Sequence, residues 1–114
     1  MNNLFVYGTL QQGQSRSSIL KGLSYEKASI LGFVRVQPPS LGFPFILEKK
    51  GSIVNGEVYF NLPDSLIAQI DLIEAEGELY HRIMVDVKAA SGAQLSAFVY
   101  YPSDKLISST MEKH

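Results

Sequence analysis

Residues 5–10, Phe5-Val6-Tyr7-Gly8-Thr9-Leu10, form a short apolar run that is stopped by a glycine. Phenylalanine, valine and tyrosine favour strands, and the run is too short for a helix of more than one turn. The pattern predicts a buried strand over Leu4–Tyr7 followed by a tight turn. Because glycine allows a ligand to approach the main chain closely, the amides of this turn can bind a carboxylate or an oxyanion. The alternative is an ordinary strand-ending turn with Tyr7 packed in the core.

The middle of the chain carries further strand patterns. Tyr25–Val36 is rich in β-forming residues around Gly32, which predicts one strand or two bent pieces. Phe43–Leu47 and Ser52–Phe60 flank the turn-like sequence Lys49-Lys50-Gly51. We expect these two segments to pair as a hairpin.

A second hairpin is predicted nearer the end of the chain. Apolar and polar residues alternate over His81–Val87, as they do in a half-buried strand. Leu95–Tyr101 is another strand pattern, and the turn residues Ser91-Gly92 separate the two. The residues after Pro102 show no clear pattern.

One helix is predicted between these hairpins. It begins at Pro63-Asp64-Ser65, where Asp64 or Ser65 can cap the first amides, and Gly77 is a plausible stop. Its apolar residues recur at helical spacing and can face a core: Leu66, Ile67, Ile70 and Ile73.

These elements set the fold class. About six strands that follow one another through short turns, with one main helix, predict an α+β domain with a curled, largely antiparallel sheet or small barrel. The length of 114 residues is that of one domain, so we expect residues 1–114 to form a single domain.

Composition excludes several classes of function. Ten basic and eleven acidic residues give a net charge of -1, which does not favour a nucleic-acid partner. The chain has no cysteine and only two histidines, so we expect no metal site. We also expect no cofactor, because no nucleotide-binding glycine motif occurs. With no apolar stretch long enough for a membrane span or a signal peptide, we expect a cytoplasmic location.

Glu74 is the candidate proton-transfer residue. It lies at the C-terminal side of the predicted helix, where the helix dipole disfavours a carboxylate. If Leu72, Ile73 and Leu79 remove it from water, its pKa should rise toward the range of a general acid and base. Asp71, three residues earlier, would add a like charge. The alternative is an exposed glutamate at a helix end.

Four blocks together resemble the γ-glutamylcyclotransferase-like family, which includes the γ-glutamylamine cyclotransferases. The blocks match in order and spacing over roughly the first hundred residues: Phe5-Val6-Tyr7-Gly8-Thr9-Leu10, Asn55-Gly56-Glu57-Val58-Tyr59, Ile70-Asp71-Leu72-Ile73-Glu74 and Tyr80-His81-Arg82. The resemblance implies a small mixed barrel, in which Tyr7, Gly8, Thr9 and Leu10 hold a γ-glutamyl substrate and Glu74 transfers protons. The implied reaction releases 5-oxoproline. A binding module that has lost turnover and a plain interaction domain remain as alternatives.

Overall fold

The computed structural model describes residues 2–7, 17–37, 44–74 and 76–111. Within these ranges the chain forms five strands, two α-helices and one 3-10 helix. In chain order they are β1 (Asn2–Val6), the 3-10 helix (Ser17–Leu20), β2 (Tyr25–Val36), β3 (Phe45–Leu62), α1 (Asp64–Ile73), β4 (Tyr80–Ala89), β5 (Gln94–Pro102) and α2 (Asp104–Met111).

The five strands close into a barrel in the order β1-β3-β2-β4-β5. Every neighbouring pair is antiparallel except β1 and β5, which run parallel with Leu4 opposite Phe98. The predicted α+β class with a mixed, mostly antiparallel barrel is therefore confirmed. Among the described residues, no helix has the length and apolar character needed to cross a membrane.

Alternation along the strands divides the buried side chains into two groups. One group contains only strand residues and their immediate neighbours, and it fills the barrel: its members include Phe5, Tyr7, Ile30, Ile46, Val54, Val58, Val87 and Val99. The other lies between the outer face of the barrel and the helices: its members include Leu4, Val6, Tyr59, Ile67, Ile70, Tyr80, Tyr100 and Leu106. Burial of a side chain such as Phe5 contributes about 1.5–3 kcal/mol.

The hairpin predicted around Lys49-Lys50-Gly51 is wrong. This turn-like sequence lies inside β3, which is 18 residues long and continuous through it. The partner of β3 is β2, which pairs with it from Tyr25 opposite Tyr59 to Val36 opposite Phe45. Residues on both sides of the sequence pair with β2, Glu48 opposite Phe33 and Ile53 opposite Leu31. The residues between Glu48 and Ile53, with Gly51 at φ 86, form an irregularity inside the strand opposite Gly32. Phe43 lies outside the described residues.

The helices also differ from the sequence prediction. Pro63 occupies the N-cap position of α1, and its side chain makes no capping hydrogen bond. The carboxylate of Asp64, one of the two expected caps, accepts a 2.8 Å hydrogen bond from Nδ2 of Asn2. The end of the chain contains α2, which the sequence analysis missed. Ser103 caps the start of α2, because its Oγ accepts a hydrogen bond from the amide of Leu106 at 3.1 Å. The predicted hairpin of His81–Val87 with Leu95–Tyr101 is confirmed as β4 and β5.

Candidate active site

Glu74 lies where α1 ends. Buried Ile67 and Ile70 hold the inner face of the helix against the core, and the amide of Glu74 donates to the carbonyl of Ile70 at 2.9 Å. The Glu74 side chain is partly buried. Leu72 is 84% exposed and does not cover the carboxylate, so that part of the sequence expectation is wrong.

The last turn of α1 is fixed to the barrel through Asp71. Arg82 of β4 binds this carboxylate with two hydrogen bonds, Nε to Oδ1 at 2.9 Å and Nη2 to Oδ2 at 3.2 Å. The hydroxyl of Tyr100, from β5, donates to the same Oδ1 at 2.7 Å. The Arg82 guanidinium also lies 4.5 Å from the ring centre of Phe98. These contacts set the position of the helix end that carries Glu74.

Asp71 therefore has a structural role that the sequence analysis did not predict. We expected a carboxylate that repels Glu74, but Asp71 is paired with an arginine and hydrogen-bonded by a tyrosine. The sequence contained the partners in the Tyr80-His81-Arg82 block, yet nothing in their spacing indicates that Arg82 reaches α1. The pairing depends on how β4 and β5 pack under the helix.

Tyr7 lies inside the barrel just beyond the end of β1. Its hydroxyl donates to the carbonyl oxygen of Tyr100 at 2.7 Å. Burial raises the pKa of Tyr7 well above its ordinary value, and the neighbouring Tyr80 and the Glu74 carboxylate raise it further. A hydrogen bond with the Ile46 backbone and the charge of Arg35 act in the opposite direction.

Tyr100 lies near the same carboxylate. Burial is the largest cause of the raised pKa of Tyr100. The hydrogen bond to Asp71 and the negative charges of Asp71 and Glu74 raise this pKa further, whereas the positive charge of Arg82 lowers it. The negative charge of Glu74 therefore acts on both Tyr7 and Tyr100. The structure brings together the end of α1, the end of β1 and the end of β5, with buried Tyr80 beside them.

Part of the predicted site can be located. Tyr7 is joined through Tyr100 to Asp71, in the last turn of the helix that ends at Glu74. Gly8, Thr9 and Leu10 lie outside the described residues. His81 is exposed. In the described ranges, no group of three or more histidine, aspartate and glutamate side chains is arranged to hold a metal ion.

Tyr101 has a defined packing role. Its ring meets Phe33 of β2 edge to face, with the ring centres 6.1 Å apart. Its hydroxyl accepts a hydrogen bond from the amide of Glu48 at 3.0 Å. Tyr101 thereby joins the end of β5 to the first part of β3, at the end of the barrel where Tyr7 lies.

Comparison with known proteins identifies relatives of this chain. The sequence matches the family described as gamma-glutamyl cyclotransferase, AIG2-like, over residues 4–113. A gamma-glutamylaminecyclotransferase A from Danio rerio is 33% identical over 112 residues, which cover 89% of this chain and 69% of the relative.

Solved structures show the same fold. The solution structure of an Arabidopsis thaliana protein superposes with a TM-score of 0.79 at 25% identity, over 96% of this chain and 67% of that chain. The crystal structure of an aig2-like protein from Mus musculus gives a TM-score of 0.78 at 23% identity, over 94% of this chain and 82% of that chain.

Proposed function

The chain belongs to the gamma-glutamyl cyclotransferase, AIG2-like family, and on this basis we propose that it cleaves a γ-glutamyl amide and releases 5-oxoproline. Membership makes the protein a γ-glutamylcyclotransferase-like enzyme. The choice of substrate, the roles of individual residues and the cytoplasmic location are parts of the proposal.

The reaction needs no nucleophile from the protein. The α-amine of the γ-glutamyl group attacks its own γ-carbonyl carbon, the new C–N bond closes a five-membered lactam, and the bond to the leaving nitrogen breaks. The proton lost by the attacking nitrogen balances the proton gained by the leaving amine. Because the reacting groups belong to one molecule, holding them in a bent conformation removes much of the entropic barrier.

Glu74 is the residue proposed to move this proton. Its carboxylate would accept the proton from the α-amine and then donate it to the leaving nitrogen. The hydrogen bonds that Asp71 makes with Arg82 and Tyr100 fix the adjacent turn of α1, which favours a constant position for Glu74. A group that is held in place does not have to be ordered again in each turnover.

The turn after β1 is proposed to hold the substrate. Amides of Gly8, Thr9 and Leu10 would bind a substrate carboxylate or the oxyanion that forms at the γ-carbonyl. Tyr7 leads into this turn, and its hydroxyl is held by the carbonyl of Tyr100. Tyr7, which precedes the proposed turn, is therefore fixed relative to β5.

One observation carries the proposal: Tyr7 and Glu74 belong to separate family blocks that are far apart in sequence, and the structure joins them through Tyr100. The carbonyl of Tyr100 accepts a hydrogen bond from the Tyr7 hydroxyl, and its own hydroxyl donates to Asp71 in the last turn of the helix that ends at Glu74.

A direct assay tests the function. The purified protein is incubated with a panel of γ-glutamyl amino acids and γ-glutamyl amines, and 5-oxoproline is measured by chromatography. Release of 5-oxoproline from at least one compound is the expected result. Binding of a panel member without any 5-oxoproline would instead indicate a binding module of the same fold, and the catalytic proposal would be wrong.

A further inference from the structure

Arg35 lies at one open end of the barrel. It is on β2 directly opposite Ile46 of β3, and residues directly opposite in an antiparallel pair project from the same face of the sheet. Ile46 is completely buried among the residues that fill the barrel. Arg35 is nevertheless exposed. An inner-face residue that reaches water must lie at the rim of the barrel, so Arg35 is a rim residue.

The same end of the barrel contains the candidate active site. The Tyr7 hydroxyl binds the carbonyl of Tyr100. The next residue, Tyr101, packs on Phe33 and accepts from the amide of Glu48. Phe33 and Glu48 are the pair two residues along from Arg35 and Ile46, on the same face of the sheet. Burial dominates the raised pKa of Tyr7, and the positive charge of Arg35 is near enough to oppose it. Glu74 acts on the same phenol. Arg35 and Glu74 therefore both lie near Tyr7.

The guanidinium of Arg35 has no partner among the residues that the structure describes. It makes no hydrogen bond or ion pair there, whereas Arg82 is fully engaged with Asp71. Glu48, two residues beyond Ile46 on the same face of β3, forms no ion pair with Arg35. The described residues therefore leave the donors of this guanidinium unused, and its planar fork matches a carboxylate.

The reaction geometry indicates which part of a substrate would meet this cation. The α-amine and the γ-carbonyl must lie at Glu74, which is partly buried. The portion beyond the scissile amide, the leaving group, then extends toward water. Arg35 is exposed at the rim and is therefore accessible to a leaving group that extends there.

We propose that Arg35 recognises a carboxylate on the leaving group, so that the protein favours γ-glutamyl amino acids over γ-glutamyl amines. The inference rests on the proposed function, and it assigns a specificity that the name of the Danio rerio relative does not indicate. An amine leaving group lacks the carboxylate and gains nothing from Arg35.

Two substrates that differ only in this carboxylate provide the test: γ-glutamylalanine and γ-glutamylethylamine. For the Arg35→Gln variant we expect kcat/KM to fall by about 10- to 100-fold with γ-glutamylalanine, mainly through KM, because a charge-assisted hydrogen bond is lost. With γ-glutamylethylamine we expect a change of about two-fold or less. The control is Lys88→Gln, which removes an exposed positive charge near the C-terminal end of β4. It should leave kcat/KM unchanged for both substrates.

Calorimetry separates this inference from the proposed function. Both compounds are titrated into Glu74→Gln, alone and combined with Arg35→Gln, so that binding is measured without turnover. A loss of affinity confined to γ-glutamylalanine supports the role of Arg35 even if the wild-type protein releases no 5-oxoproline. Equal losses for both compounds would assign Arg35 to the γ-glutamyl end and overturn the inference. Unchanged affinities, or no binding of either compound, would also overturn it.

Discussion

The hydroxyl of Tyr7 donates a hydrogen bond to the main-chain carbonyl oxygen of Tyr100 at 2.7 Å. This bond joins the segment just after β1 to the end of β5, the two strands that run parallel and close the barrel. Tyr100 in turn donates its own hydroxyl to Asp71 of α1. A continuous set of hydrogen bonds therefore links the start of the predicted substrate turn to the helix that carries Glu74.

Replacing Tyr7 with phenylalanine should lower stability. Tyr7→Phe keeps the buried ring but leaves the Tyr100 carbonyl without this donor, so we expect the free energy of unfolding to fall by about 1–2 kcal/mol. Urea denaturation followed by far-UV circular dichroism measures the change. A variant as stable as the wild type would show that the bond makes no net contribution.

Alkaline pH should also lower stability. Burial raises the pKa of Tyr59 to about 12, with Glu57 the next contribution, and it raises the pKa values of Tyr7 and Tyr100 as well. The contribution of each tyrosine is complete below pH 10, where both folded and unfolded states are protonated. Above pH 10 the unfolded state loses protons first, so the free energy of unfolding should fall by about 1.4 kcal/mol per pH unit for each of them.

The same Tyr7→Phe variant tests the origin of this pH dependence. Urea denaturation of both proteins at pH 8, 9, 10, 10.5 and 11 gives the two slopes. With one titrating group removed, the slope above pH 10 should be smaller by about 1.4 kcal/mol per pH unit. Identical slopes would mean that Tyr7 does not contribute.

Asp71→Asn should be strongly destabilising. The side chains of Arg82 and Asp71 are 27% and 21% exposed, so removal of the carboxylate leaves a largely buried guanidinium without its counter-charge. We expect a loss of about 2–3 kcal/mol in the free energy of unfolding, again measured in urea. The matched control is Glu78→Gln, because its ion pair with Lys105 spans 3.6 Å between side chains that are 73% and 76% exposed. This control should cost about 0.5 kcal/mol or less, and equal effects would contradict the structural role of Asp71.

Gly56→Ala should prevent β1 from approaching β3. A Cβ at this position would overlap the carbonyl oxygen of Val6 and lie 2.9 Å from Cζ of Phe5. Because a main-chain atom cannot move aside easily, we expect a loss of about 3 kcal/mol or more, measured by thermal and urea unfolding. Gly32→Ala is the control: it has open space, and only its φ of 92° is unfavourable, so its cost should be about 1–2 kcal/mol.

Glu74→Gln should abolish most turnover without unfolding the protein. If the carboxylate transfers the proton, kcat should fall by roughly 10²- to 10⁴-fold with little change in the melting temperature. The assay measures 5-oxoproline from the best substrate of the panel, with Glu78→Gln as a variant that should retain activity. Full activity of Glu74→Gln would exclude Glu74 as the acid and base.

Local patterns were sufficient to predict much of the secondary structure. The alternation over His81–Val87 and the turn at Ser91-Gly92 gave the hairpin of β4 and β5, because side-chain direction in a strand depends only on position along it. The same reasoning failed at Lys49-Lys50-Gly51, because the residues on both sides of this turn-like sequence pair with β2. It also missed α2, although Ser103 supplies an N-terminal cap.

The sequence by itself determined the fold class, the family resemblance and the choice of Tyr7 and Glu74 as candidates. Only the tertiary structure decided that Asp71 binds Arg82 and Tyr100, and that Tyr7 is joined through Tyr100 to the helix that ends at Glu74. It also decided that Arg35 stands at the rim with no partner among the described side chains. The physical reason is that these contacts join residues on different strands and helices. Their proximity is set by the register and closure of the barrel, which no local spacing in the sequence specifies.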